Sequence, residues 1–234
     1  RMTDTSDLYF RQIQAGDMAN FVYLIGSRST REAVIIDPAW DIPRLLDVAK
    51  TDDMTIVGAL ATHYHQDHIG GSLFGHQIPG LNEFLELNPA PVHVNKLEAP
   101  GTSQVSGIAE SELVSHEPGD TIELGGITIR LIHTPGHTPG SQCFLVEESN
   151  QPGHLVSGDT LFLGSCGRVD LPGSDPEAMY HSLNHTLKAL PDETLLFPGH
   201  LYSPEGQSTM GEQKATNPML RVSSLDMFLN FMGG

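Results

Sequence analysis

The chain predicts an α/β fold: two mixed β-sheets packed face to face between outer helices, a four-layer αββα sandwich. Three observations carry this expectation. Strand-like runs outnumber helical ones in both halves of the 234 residues. Each half ends its strands in histidine or aspartate beside glycine. The length is enough to bury the core of one large domain, read here as residues 1–234.

Tyr9–Ile13, Asn20–Ser27 and Glu32–Asp37 read as short strands, the last two rich in β-branched and aromatic residues. Asp37-Pro38 stops the third, and Ile42–Lys50 has helical apolar spacing. Ile56–Thr62 is then a buried strand. From Ser72 to His116, glycines and prolines break the pattern into pieces. Asn82–Leu87 reads as a helical turn and Val92–Val94 as a short strand, in an otherwise irregular insertion (about 72–116) facing the site. Thr121–Leu124 and Ile127–His133 are strands joined by a Gly125-Gly126 turn. Gln142–Glu147 and His154–Ser157 follow as strands. Ser174 or Asp175 caps a helix running to Leu190, with Pro176 in its first turn. Thr194–Phe197 is a last strand, and Met210–Ala215 and Leu225–Phe231 are closing helices.

The charge excludes one large class of function. Against 29 acids stand 12 lysines and arginines, a formal charge of -17, which argues against a phosphate-tracking surface and hence against nucleic acid. No apolar run reaches the roughly 18 residues a membrane helix needs. Arg1-Met2-Thr3-Asp4 lacks the basic-then-apolar pattern of a signal peptide. Two cysteines, Cys143 and Cys166, make no disulfide framework and suit a reducing cytoplasm.

The chemistry concentrates in Thr62–Gly71, which reads Thr-His-Tyr-His-Gln-Asp-His-Ile-Gly-Gly. His63 and His65 are two apart, so on an extended backbone both rings leave the same face. Asp67 and His68 follow where a strand end turns into a helix. Three more strand ends repeat the pattern: His137 between two Pro-Gly turns, Asp159 after Ser157-Gly158, and His200 after Pro198-Gly199. One histidine at a strand end is ordinarily just exposed. Seven imidazoles and carboxylates at four such ends outline a site for two metal ions.

His63-x-His65-x-Asp67-His68 followed by His137, Asp159 and His200 resembles the signature of the metallo-β-lactamase fold superfamily. The resemblance covers essentially the whole chain. It implies that His63, His65 and His137 hold one ion, that Asp67, His68 and His200 hold a second, and that Asp159 bridges. Within the superfamily the chain is similar to the glyoxalase II and persulfide dioxygenase group. The stretches that carry this are Phe10-Arg-Gln, Ser29 to Pro38, Ser165-Cys-Gly-Arg-Val-Asp170, His200-x-Tyr202, Asn217-Pro-x-Leu220 and Phe228-x-x-x-Met232-Gly. In persulfide dioxygenases one iron is held by a two-histidine, one-carboxylate set, here His63, His137 and Asp159, which suits oxygen chemistry. In glyoxalase II relatives the full ligand set holds two ions and cleaves a thioester. The chain departs from persulfide dioxygenases at Leu201, where they typically carry aspartate, and at Met219, where they typically carry arginine.

The expectation is therefore a metal-dependent hydrolase, glyoxalase II-like, that cleaves a thioester or ester with metal-activated water, using two divalent ions (zinc, or iron or manganese). The alternative is a mononuclear Fe(II) persulfide dioxygenase acting on glutathione persulfide. A non-catalytic metal-binding scaffold would be signalled by a lost ligand, and none is lost. Catalysis is assigned to Asp67 and Asp159, and substrate contact to Arg168, Cys166 and Tyr202. Each of these three has a plainer alternative: an ion pair of Arg168 with Asp170 or Asp175, and packing for Cys166 and Tyr202. His133 is the other histidine placed to support a ligand, and Trp40 is read as a packing cap. The partner is a small thioester, ester or thiol-derived molecule, with a homodimer as the assembly carried forward.

Overall fold

A computed structural model describes residues 6–233; the opening residues read for a leader lie outside that range. In the N-terminal half, β1 (Leu8–Ala15), β2 (Asn20–Ser27) and β3 (Glu32–Ile36) form an antiparallel meander. Helix α1 (Ile42–Thr51) then crosses over to β4 (Thr55–Leu60), which pairs parallel with β3. Asp41 caps α1 by accepting from the Arg44 amide, and Pro43 occupies its first turn. After β4 the chain forms the single-turn α2 (Gln66–Ile69), a small hairpin of β5 (Gly71–Leu73) and β6 (His76–Ile78), and α3 (Leu81–Leu87). It continues through β7 (Val92–Asn95), α4 (Ala99–Ser106) and β8 (Leu113–His116). The sheet order is β1-β2-β3-β4-β7-β8.

The C-terminal half opens with β9 (Thr121–Leu124), β10 (Ile127–His133), β11 (Gln142–Glu147) and β12 (His154–Val156), all antiparallel neighbours. A two-residue-per-strand ribbon, β13 (Leu161–Phe162) and β14 (Ser165–Cys166), leads to α5 (Pro176–His181), capped by Asp175. A π-helical turn over Ser182–Leu187 continues α5, so this helix stops short of Leu190. Strand β15 (Leu195–Phe197) pairs parallel with β12, and β16 (Ser208–Thr209) closes the sheet. Helices α6 (Met210–Thr216) and α7 (Leu225–Phe231) complete the chain, and the second sheet runs β16-β15-β12-β11-β10-β9.

Three buried clusters separate four layers. In β2 the side chains alternate: Val22 and Leu24 pack with Ile42, Leu45 and Phe84 of the helices, while Phe21, Tyr23 and Ile25 face the other way. Those three meet Ile127, Ile129, Phe144 and Phe197 of the second sheet in the central cluster. Leu155, Leu183, Leu196 and Phe228 form the third, under the C-terminal helices. This is the predicted αββα sandwich.

Residues 72–116 depart from the irregular insertion expected. They contribute β7 and β8 to the first sheet, with parallel pairing of Ala59 to Val92 and of Val92 to Leu113. Their short elements are held by neighbouring strands rather than by local propensity.

Candidate metal centre

All seven predicted ligands gather at one end of the sandwich. Thr62-His63 extends β4, His65 is the residue ahead of α2, and Asp67 and His68 lie within α2. His137 sits in the loop between β10 and β11, Asp159 follows β12, and His200 follows β15. Strand carboxyl ends are where α/β sheets place their ligand sites. The turn at Gly199 is tight enough to require glycine: a Cβ there would lie 2.6 Å from Asp159 Oδ1.

Two groups of donor atoms converge, each with its members within 4.8 Å of one another. The first is His63, His65 and His137, with His65 Nδ1 3.0 Å from His137 Nε2. The second is Asp67, His68, Asp159 and His200, with His68 Nε2 3.2 Å from His200 Nε2. Asp159 touches both. Its carboxylate lies 3.2 Å from His68 Nε2, 3.3 Å from His200 Nε2, 3.4 Å from His137 Nε2 and 3.8 Å from His63 Nε2.

In His63, His68, His137 and His200 the outward ring nitrogen is occupied, which fixes what the inward one can do. His137 Nδ1 donates to the Arg168 carbonyl at 2.7 Å and His200 Nδ1 to the Met18 carbonyl at 2.9 Å. His68 Nδ1 donates to Asp37 Oδ2 at 2.9 Å. His63 Nδ1 donates to Thr62 Oγ1 at 2.9 Å, and that hydroxyl donates to Asp37 at 2.6 Å. Such acceptors orient imidazoles around a metal and leave Nε2 a lone pair aimed inward. His63 Nε2 is buried and has no hydrogen-bond partner. A buried polar atom left so is costly unless something at the centre satisfies it, and the donor set fits a cation.

Electrostatics agree with that fit. Burial opposes charge on His68 and His200, but the Asp159 and Asp67 carboxylates raise both, His200 to about 9. Asp67 and Asp159 would be raised by burial, yet His68 and His200 hold both well below the carboxylate range. The second group thus attracts positive charge. In the first, burial and then neighbouring imidazoles lower His63 and His65, the latter to about 4.

These shifts set a pH dependence. A histidine raised from 6.5 to about 9 stabilises the fold fully below pH 6.5 and loses that contribution as pH rises through 9. The ion-free protein should therefore show a Tm contribution from His200 that declines over this window. Added zinc must displace the proton, so its stabilising increment should grow over the same window. Thermal melts with and without zinc from pH 6 to 9 check this; an increment that shrinks with pH would contradict it.

Not every predicted substrate residue reaches the centre. The Arg168 side chain is exposed and forms a two-point pair with Asp170, at 2.9 and 3.0 Å; only its carbonyl serves the site, through His137. Cys166 is half-buried against the third core cluster, and burial pushes its thiol up to about 12. Tyr202 is adjacent: its ring stacks on His200 with centroids 4.6 Å apart and meets Phe162 edge-on. Met219 is buried in the third cluster. His133 Nε2 donates to the Pro139 carbonyl, 2.9 Å away, and so braces the His137 loop rather than a ligand ring.

Sequence reasoning missed four supporting residues. Asp37, 4% exposed, accepts from the Thr62 amide and hydroxyl and from His68. Asn20 donates to the Asp67 carbonyl and Oδ2, at 3.0 and 3.1 Å. Trp40, read as a packing cap, donates through Nε1 to Asn20 Oδ1 and the Asp67 carbonyl. Glu98 bonds two ligand loops. Asp37 offered a signal, an aspartate at the end of the strand beside the ligand-bearing one; the others offered none.

Comparison with known proteins decides the family. Residues 15–200 match the model described as "Metallo-beta-lactamase superfamily". The chain belongs to the metallo-β-lactamase superfamily. It is 32% identical to human mitochondrial persulfide dioxygenase ETHE1 over 228 residues, 97% of this chain and 81% of that protein. It is 30% identical over 246 residues to a probable hydroxyacylglutathione hydrolase of Schizosaccharomyces pombe, covering 91% of this chain and 86% of the relative. The crystal structure of ETHE1 from Myxococcus xanthus superposes with a TM-score of 0.80 at 30% identity, covering 97% of this chain and 90% of that one. The chain's relatives in the superfamily thus include both hydrolases and dioxygenases, as its motifs implied. Among the described residues, no helix is long and apolar enough to cross a membrane.

Proposed function

We propose that this superfamily member is a metal-dependent hydrolase that cleaves a small thioester or ester at a two-ion centre. His63, His65 and His137 would hold one ion and Asp67, His68 and His200 the other, with Asp159 placed between the two groups. The observation that carries the reading is the Asp159 carboxylate, set among the Nε2 atoms of four histidines drawn from both groups. Zinc is the first reading for both positions, with iron or manganese accepted by the same donors.

When bound, such ions supply hydroxide at neutral pH, by lowering the pKa of water towards about 7, and a Lewis acid for the carbonyl oxygen. The chain's own residues do the rest. Asp67 Oδ2, tethered by Asn20 Nδ2 and held ionised by His68 and His200, would help hold the second ion and orient the water. Asp159 fixes the two ligand groups against each other. The exposed Tyr202 ring beside His200 offers the substrate a flat face with a phenol. Arg168 offers a charge-assisted contact to a substrate carboxylate only if Asp170 releases it. Cys166 packs and stays a thiol at neutral pH, so no cysteine nucleophile is invoked. Cys143 and Cys166 are both free, which suits the cytoplasm as the compartment.

The second reading, a single Fe(II) on His63, His137 and Asp159 oxidising a persulfide, is favoured by similarity to ETHE1. Against it, Met219 is buried in the core where an arginine would be wanted. A screen separates the two: zinc-loaded protein should hydrolyse a panel of acyl thioesters and esters, lose activity with chelator and regain it with zinc. Iron-dependent oxygen uptake with glutathione persulfide, and no hydrolysis, would favour the second reading instead.

A further inference from the structure

We infer that Glu98 is a positioning residue that ties the His63–His65 loop to the His137 loop and thereby sets the affinity of the first ion. The inference rests on the ligand grouping proposed above. Glu98 lies between β7 and α4, is 1% exposed, and makes its hydrogen bonds to Tyr64, Thr138 and Gly140 rather than to any of the seven ligands. Its Oε1 accepts from the Tyr64 amide at 3.1 Å, and Tyr64 stands between His63 and His65. The same oxygen accepts from the Thr138 hydroxyl at 2.6 Å, one residue past His137. Its Oε2 accepts from the Gly140 amide at 3.0 Å. Approach to Gly140 is close: a Cβ there would stand 2.8 Å from Glu98 Cγ.

All three ligands of the first group come from the two loops this carboxylate joins. The second group is braced elsewhere: His68 by Asp37, Asp67 by Asn20, and His200 by the Met18 carbonyl. Glu98 is therefore placed to act on one ion and not the other. A carboxylate this deep is rare unless its lone pairs are engaged. Here its partners are backbone and hydroxyl donors of ligand loops rather than a cation. Burial pushes Glu98 up to about 7 against the pull of those donors. The three bonds to two ligand loops, rather than its charge state, assign it the positioning task.

Zinc titration of metal-depleted protein against a chromophoric chelator tests this, with His65→Ala and His200→Ala assigning the two binding steps. In Glu98→Gln, which keeps the volume but loses acceptor capacity, first-step affinity should fall by about 10- to 100-fold, the usual effect of breaking a ligand's support. The second step should move by less than about 3-fold. Thr138→Val, which removes one of the three bonds, should weaken the same step by less. Cobalt(II) substitution gives a second readout, since the visible spectrum of the first position should change in Glu98→Gln. Equal weakening of both steps, or an unchanged first step, overturns the inference. If the wild type takes up only one ion, the two-ion reading fails by itself. The Glu98 inference then stands or falls on whether Glu98→Gln weakens that ion.

Discussion

Replacing Asp159 with alanine should lower kcat/KM on a thioester or ester by about 10³-fold or more and release bound metal. Lewis-acid stabilisation is worth several kcal/mol, and each 1.36 kcal/mol is about tenfold in rate. Among the described residues Asp159 is the one carboxylate within 3.8 Å of histidines from both groups, so under the proposed grouping its loss removes a ligand from each and the element that joins them. Asp159→Asn keeps the size but not the charge that holds His68 and His200 raised. It should lie close to the alanine variant in rate. Steady-state kinetics with elemental analysis of the same samples checks both; Asp159→Ala with both ions and more than about a tenth of wild-type activity would contradict the bridging role.

Asp37→Ala should be the most damaging change outside the ligand set. Asp37 receives three hydrogen bonds: from the Thr62 amide, the Thr62 hydroxyl and His68 Nδ1. Removing a buried charged partner leaves the others uncompensated and costs about 3 kcal/mol or more. Losing the support of two ligand imidazoles, His68 directly and His63 through Thr62, should weaken metal binding by about 10- to 100-fold. Urea unfolding of ion-free protein and zinc affinity should move together. Normal stability with weakened binding would show that Asp37 orients without stabilising, and an unchanged affinity would remove it from the site.

The cluster of seven imidazoles and carboxylates was legible because their types and places both speak. Imidazole and carboxylate at strand ends, next to glycine, have few structural uses, and His63 to His68 put four of them in six positions. The two-sheet architecture was legible because near-continuous apolar runs such as Asn20–Ser27 report burial on both faces. What could not be read were contacts made across the fold. Glu98 is 34 residues from Tyr64 and 40 from Thr138, and nothing local distinguishes it from a solvated acid. Asn20 and Trp40 serve Asp67 only because the start of β2 and the turn after β3 lie beside α2.

Residues 72–116 misled for a related reason. β7 has only four residues and α4 reads Ala-Pro-Gly-Thr-Ser-Gln-Val-Ser, a poor helix by composition. Both exist because tertiary neighbours complete them: β7 through pairing with β4 and β8, and α4 through packing on α2 and β5. Arg168 and Cys166 were drawn towards substrate by their neighbourhood in the sequence. In the structure the first spends its guanidinium on Asp170 and the second faces the core.

The central claim is that this chain builds one centre for two ions, and counting ions tests it most directly. Protein depleted of metal, saturated with zinc and freed of excess by gel filtration should contain two zinc ions per chain by elemental analysis, with His65→Ala and His200→Ala each retaining one. A wild-type protein that saturates at one ion per chain, with its content unchanged in His200→Ala, would contradict it.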